Sequence, residues 1–509
     1  MSTGVSWTET RRSLGDTGAL LRFRVAGLRG RSRTVTVLGV GLIGVITVLG
    51  AVAPAYLPQD LSQRTDVLSL LPSLLVGILL VAIVSAAASG GGRELVPREH
   101  AVAFPVSPVT DHLGALLMAP LNIAWLFQAW ILLGATAFVA GPEWGLLWAH
   151  LVLLVWLAAA TSVAQVVAWG LEWLRREPYG VWGTRFVTLA AGLSAAYVIA
   201  DDRLVPLLQA SPTTEVTIAS LQAAQGISWF YVRVLVVLLL VTAVAVVAGA
   251  RLAVAVSRRP SRDEARLETS AYPLRPDPAS DFLALVRTDR AAIWRSVPLR
   301  RGLAVLTIMP GLVAIAGDLK WSLLTILPGL VASGGALLFG VNAWSLDGRG
   351  ALWRDSLPVD ASLVFAARAW VLAEVLLVAT LGTLVMAALR AGLPSSSELA
   401  AVLAGGLVVV VQVVSASMRW SVRRPFSADL RSARATPAPP LVMVGYSARL
   451  ALSTTFVGIF FSVLARLSWE WSVLCAVPLL LLSAWRLVRT STAWSDPTTR
   501  CRVVATVGS

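Results

Sequence analysis

The 509-residue sequence is poor in charged side chains. Only 14% of its residues are charged, against about 25% in an average soluble domain, and Lys320 is the only lysine among the 42 basic residues. A P-loop needs Gly-x-x-x-x-Gly-Lys-Ser/Thr, and Lys320 is followed by Trp321. The chain therefore lacks this nucleotide site, and its composition disfavours a soluble enzyme.

Cysteine and histidine are also scarce. Cys475 and Cys501 have no spacing typical of a disulfide framework or a metal site. The three histidines, at positions 100, 112 and 150, have no metal-ligand spacing. No serine, histidine and aspartate set can be assembled, and the adjacent Asp201 and Asp202 are typical of solvated charge. We therefore expect no enzyme activity, no metal and no cofactor in this chain.

Apolar residues are abundant instead, at 57% of the sequence with a mean hydropathy of +0.75. A bilayer core needs roughly 20 helical residues, and apolar runs of about this length recur along the chain. They predict an all-α, polytopic membrane protein with twelve spans. The predicted spans are 34–57, 67–90, 111–140, 144–170, 187–201, 229–256, 301–318, 321–345, 363–389, 399–419, 440–465 and 469–488.

The basic residues are distributed unevenly between alternate loops. With both termini cytoplasmic, the predicted inner segments hold 35 basic residues and the outer loops hold five. Cytoplasmic loops of membrane proteins are enriched in arginine and lysine, so this asymmetry predicts the orientation in the cell membrane. The net charge of +14 is explained in this way without a nucleic-acid partner.

The chain reads as two similar halves. Residues 1–256 and 281–509 each hold six predicted spans, and the polar, proline-rich segment 257–280 is a predicted cytoplasmic linker. Each half opens with a basic amphipathic stretch, at 19–33 and 281–301, which is typical of a helix at the membrane–water interface. An even number of spans per half predicts parallel repeats related by an axis along the membrane normal.

Each half also has a charged loop between its second and third spans. The first reads RELVPREHAVAFPVSPVTDHLGALL and the second LDGRGALWRDSLPVDASLVFAARAW. When Pro105 is aligned with Pro358, Glu94 falls on Asp347, and Pro-Val-Ser falls on Pro-Val-Asp. The repetition of this loop indicates that it has a role in both halves, although either loop alone is equally consistent with solvated charge.

The stretch FGVNAWSLDGRGALWRDSLPVDASLVFAARAW resembles the permease subunits of ABC-2-type exporters, particularly the fused two-half type. The resemblance implies that each loop forms a coupling helix that docks on a cytoplasmic ATP-binding cassette subunit, in two copies, which would carry ATP and Mg²⁺. The coupling residues it implies are Glu94, Arg98, Glu99 and Pro105 in the first half, and Asp347, Arg349, Arg354, Asp355 and Pro358 in the second. We expect export of an amphipathic or hydrophobic substrate, such as a drug, an antibiotic or a lipid.

The alternative is an ion-coupled secondary transporter, which also commonly has twelve spans. The loop after the second span lacks the signature of the major facilitator superfamily, and few acidic residues are predicted within the membrane. Within the predicted spans, the acidic Glu374 and the basic Arg449 are a candidate charge pair. The pair is either structural or lines the pathway, and Arg449 could instead extend to the cytoplasmic side.

Overall fold

The computed structural model describes most of the chain. All regular structure in the described residues is helical, as the sequence predicts. These residues are 7–26, 31–58, 60–88, 106–121, 123–201, 203, 206–207, 210–259, 276, 278–316, 319–427, 438 and 440–508.

The chain divides into two compact units, Met1–Ser270 and Ala271–Ser509. The division falls inside the segment 257–280, which the sequence predicts to be a linker. The two units are described separately below, and the presence of six spans in each stays a prediction.

The described residues of unit 1 form nine α-helices. They are α1 (Trp7–Ala26), α2 (Arg31–Val52), α3 (Leu61–Ala88), α4 (Pro108–Met118), α5 (Ile123–Ala140), α6 (Leu146–Arg175), α7 (Gly180–Ala200), α8 (Thr213–Gln225) and α9 (Trp229–Ser257). Helix α6 is central because α3, α8 and α9 all pack against it. The predicted amphipathic stretch 19–33 spans the end of α1 and the start of α2, with residues 27–30 outside the described residues.

A buried histidine links three helices of unit 1. The side chain of His112 on α4 is fully buried, and its Nδ1 accepts a hydrogen bond of 3.1 Å from Trp169 Nε1 on α6. Its Nε2 lies 3.2 Å from the carbonyl oxygen of Val246 on α9 and donates to it. The ring occupies space left by Gly249, where an added Cβ would lie 2.5 Å from the imidazole Cε1.

In unit 2, ten α-helices lie within the residues that the structure describes. They are α10 (Asp281–Arg295), α11 (Val297–Ala316), α12 (Trp321–Leu324), α13 (Leu327–Leu338), α14 (Ala351–Asp355), α15 (Ala361–Ala391), α16 (Ser396–Arg423), α17 (Pro440–Leu464), α18 (Trp469–Ser495) and α19 (Pro497–Gly508). The core forms where α16 packs against α13, α15, α17 and α18, while α10 and α11 pack on α15.

Seven helices in the described part of the chain are long and apolar enough to cross a membrane: α3, α6, α9, α15, α16, most of α17, and α18. Two bent pairs raise the number to nine if each is counted as one span. Helix α10 meets α11 at 82°, and α13 meets the following turn at 42°. The chain is therefore an all-α membrane protein, and the count of twelve spans remains a prediction.

Several predicted spans are interrupted by identifiable residues. The predicted span 111–140 is broken by a 3-10 turn, Ala119–Leu121, that contains Pro120, as expected for a residue that lacks a backbone N–H donor. The predicted span 321–345 is divided into α12, α13 and a 3-10 segment, Gly340–Leu346, whose Asn342 has non-helical backbone angles. These breaks leave helices too short to be counted as spans by length alone.

Candidate functional site

The second predicted coupling loop has a defined structure in unit 2. After α13, the chain follows the 3-10 segment Gly340–Leu346 and a second 3-10 turn, Gly348–Gly350, before α14. Gly348 has a φ of +48°, in the left-handed region that glycine adopts without a steric penalty. The loop ends at Asp360, whose carboxylate accepts a 2.8 Å hydrogen bond from the Ser362 backbone N–H and caps α15.

Four charged side chains form an ion network that holds this loop. Arg368 on α15 donates from Nε to Asp289 Oδ2 at 2.8 Å, and from Nη2 to Asp347 Oδ1 at 2.7 Å. Arg354 on α14 donates from Nη1 to Asp289 Oδ1 at 2.6 Å and to Asp347 Oδ1 at 2.8 Å. Arg368 also donates to the carbonyl oxygen of Ala343. The network therefore joins α10, the loop, α14 and α15.

The network is buried and electrically balanced. The side chains of Asp289 and Arg368 are each 1% exposed, and those of Arg354 and Asp347 are 9% and 13% exposed. Burial alone would raise the pKa of Asp289 on α10, but the charges of Arg368 and Arg354 lower the pKa below its ordinary value. Two carboxylates and two guanidinium groups thus compensate each other, which a buried charge requires.

Two tryptophans cover the network. The rings of Trp344 and Trp494 stack with their centroids 3.8 Å apart and their planes 5° from parallel. The Arg368 guanidinium carbon lies 5.2 Å from the centroid of Trp344, and Trp494 Nε1 donates a 3.0 Å hydrogen bond to the carbonyl oxygen of Ala361. Because Trp494 is near the end of α18, the stack joins that helix to the 3-10 segment Gly340–Leu346, and the hydrogen bond joins it to the start of α15.

The last helix, α19, lies on the same loop. Its Arg500 forms a 2.9 Å ion pair with Asp355 at the end of α14. A cavity of about 310 Å³ remains between α19 and the loop, with Pro358 and Trp494 in its wall. The Nε and Nη2 atoms of Arg354, which also lines this cavity, are buried and have no hydrogen-bond partner among the described residues. Together these contacts hold α14 against α19 on one side.

Two apolar residues of α14 are exposed. Leu352 and Trp353 are 58% and 70% exposed, although the flanking Ala351 is buried and Arg354 belongs to the buried network. Two adjacent exposed apolar side chains, one of them tryptophan, on a short and firmly anchored helix are typical of a protein-binding surface. We call these two residues the Leu352–Trp353 tip.

The predicted coupling residues are placed differently in the two halves. Glu94, Arg98, Glu99 and Pro105 lie outside the described residues. In the second half, Asp347 and Arg354 are held inside the ion network, Asp355 pairs with Arg500, and Pro358 lines the cavity. The backbone of Arg349 is in the 3-10 turn Gly348–Gly350. The exposed residues of α14 thus include the apolar Leu352 and Trp353, whereas the sequence reasoning emphasised its charges.

The partner of Glu374 differs from the sequence hypothesis. Its Oε2 accepts hydrogen bonds from Arg290 Nε at 3.0 Å and Arg290 Nη2 at 2.7 Å. This pair replaces the predicted pair of Glu374 with Arg449, because α10 runs alongside α15 and brings Arg290 to the carboxylate. Arg449 is exposed. Whether either residue lines a pathway stays a prediction.

The sequence reasoning missed Asp289, Arg368, Trp344 and Trp494. Two signals were present: an acidic residue within the basic amphipathic stretch DFLALVRTDRAAIWR, and an arginine two turns into an apolar helix. A buried arginine in a spanning helix requires a partner.

Comparisons of the chain with protein-family models, with curated proteins and with solved structures give no match.

Proposed function

We propose that the chain is the permease subunit of an ATP-driven, ABC-2-type exporter in the cell membrane, with twelve spans and both termini cytoplasmic. Energy would come from a separate cytoplasmic ATP-binding cassette subunit that carries ATP and Mg²⁺. The observation that supports this proposal most strongly is the Leu352–Trp353 tip, which is exposed on a loop held by the ion network.

The tip has the features required for docking a partner. A solvated loop without a partner has no reason to expose leucine and tryptophan side by side, since both lose favourable free energy in water. Buried tryptophan is among the residues that contribute most to protein interfaces. Asp347, Arg354 and Asp355 of the same loop form ion pairs within unit 2, so contact through the tip does not require these pairs to break.

The anchoring of the loop suits it to transmit a displacement. The ion network joins α14 to α10 and α15, and the Arg290–Glu374 pair makes a second link between α10 and α15. The Trp344–Trp494 stack adds α18. A displacement of the tip would therefore be transmitted to α10 and to the spanning helices α15 and α18 together. Alternate opening of a membrane pathway requires such a coupled movement.

The remaining support comes from the sequence. The related loop in the first half predicts a second docking element, and two such elements fit two copies of the ATPase subunit. The lack of a P-loop motif in the sequence fits the proposal that a partner hydrolyses ATP. Apolar helices with few charges favour an amphipathic or hydrophobic substrate, such as a drug, an antibiotic or a lipid.

The first test of the proposal is the genomic neighbourhood. An adjacent gene for an ATP-binding cassette subunit supports it, and the lack of one favours the ion-coupled transporter. With that subunit co-expressed, the double variant Leu352→Ala/Trp353→Ala is then compared with the unchanged chain by co-purification and by measurement of the dissociation constant. Loss of a tryptophan hot spot costs about 2 kcal/mol or more, so we expect the dissociation constant to rise at least about 30-fold.

A matched control is available at the opposite end of the same unit. Leu467 and Trp471 are 49% and 51% exposed, in and beside the connection from α17 to α18. The variant Leu467→Ala/Trp471→Ala removes the same side chains and should leave ATPase binding unchanged. Equal binding by the tip variant and the unchanged chain would contradict the proposed docking site.

A further inference from the structure

Five exposed arginines lie at one end of three packed helices in unit 2, and we call them the arginine cluster: Arg419 and Arg423 on α16, Arg449 on α17, and Arg486 and Arg489 on α18. The spacings of four residues on α16 and three on α18 place each pair on one helix face.

The order of the helices brings these residues to the same end. Helices α16, α17 and α18 follow one another in the chain and pack together. The cluster therefore combines the last turns of α16 and α18 with the early part of α17. The charges of the other four arginines all act on the Arg419 guanidinium. This is the end that the sequence predicts to be cytoplasmic.

The cluster has no acidic partner in the part of the chain that the structure describes, where the ion pairs of unit 2 involve other arginines. Arg500 is paired with Asp355 and Arg290 with Glu374. Several like charges in close proximity repel each other, and this repulsion is stronger near a bilayer than in water. An external anion would relieve it.

The surroundings of the cluster indicate a position at the membrane surface. Trp485 is 54% exposed and has the Arg489 guanidinium 4.9 Å from its ring centroid. Within the same helices, towards the opposite end, Phe456 and Leu481 are each 65% exposed, as expected for side chains that face lipid tails. Tryptophan and arginine beside such an apolar surface are typical of the headgroup level.

We propose that the arginine cluster binds the phosphate of an anionic phospholipid headgroup in the leaflet at this end of α16, α17 and α18. The lipid supplies the missing negative charge, and its acyl chains lie along the exposed apolar surface of the same helices. Basic side chains near the cytoplasmic ends of spanning helices are suited to such headgroups. A soluble anion would satisfy the charges but would leave that apolar surface unused.

The proposal is tested on the full chain purified in an uncharged detergent. Native mass spectrometry measures the binding of phosphatidylglycerol and of phosphatidylcholine with identical acyl chains. We expect preferential binding of phosphatidylglycerol. Each arginine removed should weaken this binding about fivefold, so the variant Arg419→Gln/Arg486→Gln should lose about 25-fold in affinity, with phosphatidylcholine binding unchanged.

Two further variants separate charge from folding. Lys320→Gln/Arg466→Gln removes the same charge at the opposite end of unit 2 and should bind phosphatidylglycerol as the unchanged chain does. Arg419→Lys/Arg486→Lys keeps the charge and should retain the preference. The inference is overturned if the glutamine variant keeps full affinity, if both glutamine variants lose affinity equally, or if millimolar inorganic phosphate displaces the lipid.

Discussion

The buried ion network of unit 2 can be tested by removing one charge at a time. Asp289→Asn keeps the shape of the side chain but removes a carboxylate that accepts from both Arg354 and Arg368. Arg368→Met keeps an unbranched apolar side chain but removes the guanidinium. Each single variant leaves the network with one uncompensated charge.

The structure sets the expected magnitude. Asp289 and Arg368 are each 1% exposed, and breaking a buried ion pair by removal of one partner costs about 3–5 kcal/mol. The double variant Asp289→Asn/Arg368→Met leaves Asp347 and Arg354 as a neutral pair. We therefore expect the double variant to lose less than the sum of the two single losses, by at least about 2 kcal/mol.

An exposed ion pair between the same two helices is the control. Arg290 and Glu374 also join α10 to α15, but their side chains are 47% and 33% exposed, and such pairs contribute about 0–1 kcal/mol. The free energy of unfolding is measured by titration with denaturing detergent, followed by circular dichroism. Equal losses for Arg290→Gln and Asp289→Asn, or strictly additive losses in the double variant, would refute the proposed compensation.

Three further predictions concern packing and capping. Gly249→Ala should destabilise unit 1 by about 1–3 kcal/mol because its Cβ would meet the His112 ring. Gly170→Ala is the control and should cost nothing, since no atom lies within 4 Å of the added Cβ. Thermal unfolding of the two variants distinguishes these outcomes. Trp494→Ala should cost about 3–5 kcal/mol in the same assay, since it removes the tryptophan stack. A backbone hydrogen bond lowers the pKa of Asp360. The stabilisation of α15 by this cap is therefore present at neutral pH and is lost as the pH falls below about 4. The difference in melting temperature between the unchanged chain and Asp360→Ala should disappear on acidification.

Hydropathy and local spacing were sufficient for the general fold. The apolar runs predict an all-α membrane protein because a spanning helix satisfies every backbone group internally, and the structure has such helices from α3 to α18. The amphipathic stretch at 281–301 predicts a helix, and the structure has α10 there, which ends at Arg295 and turns by 82° into α11; its position at the membrane surface stays a prediction. Pro120 lies in the turn that interrupts the predicted span 111–140.

The site could be predicted only in part because its contacts join distant positions. Asp289 and Arg368 are separated by 79 residues, and the stacked Trp344 and Trp494 lie on the loop and on α18. Local sequence does not indicate which acidic residue forms an ion pair with which arginine. For the same reason the sequence paired Glu374 with Arg449, whereas Arg290 on α10 is the residue that reaches it.

The most direct test of the account is transport by the purified chain in proteoliposomes, with and without its ATP-binding cassette subunit. Extrusion of an amphipathic dye should require that subunit and ATP, and should be lost in Leu352→Ala/Trp353→Ala. Transport by the chain alone, driven by a proton or sodium gradient, would contradict the account.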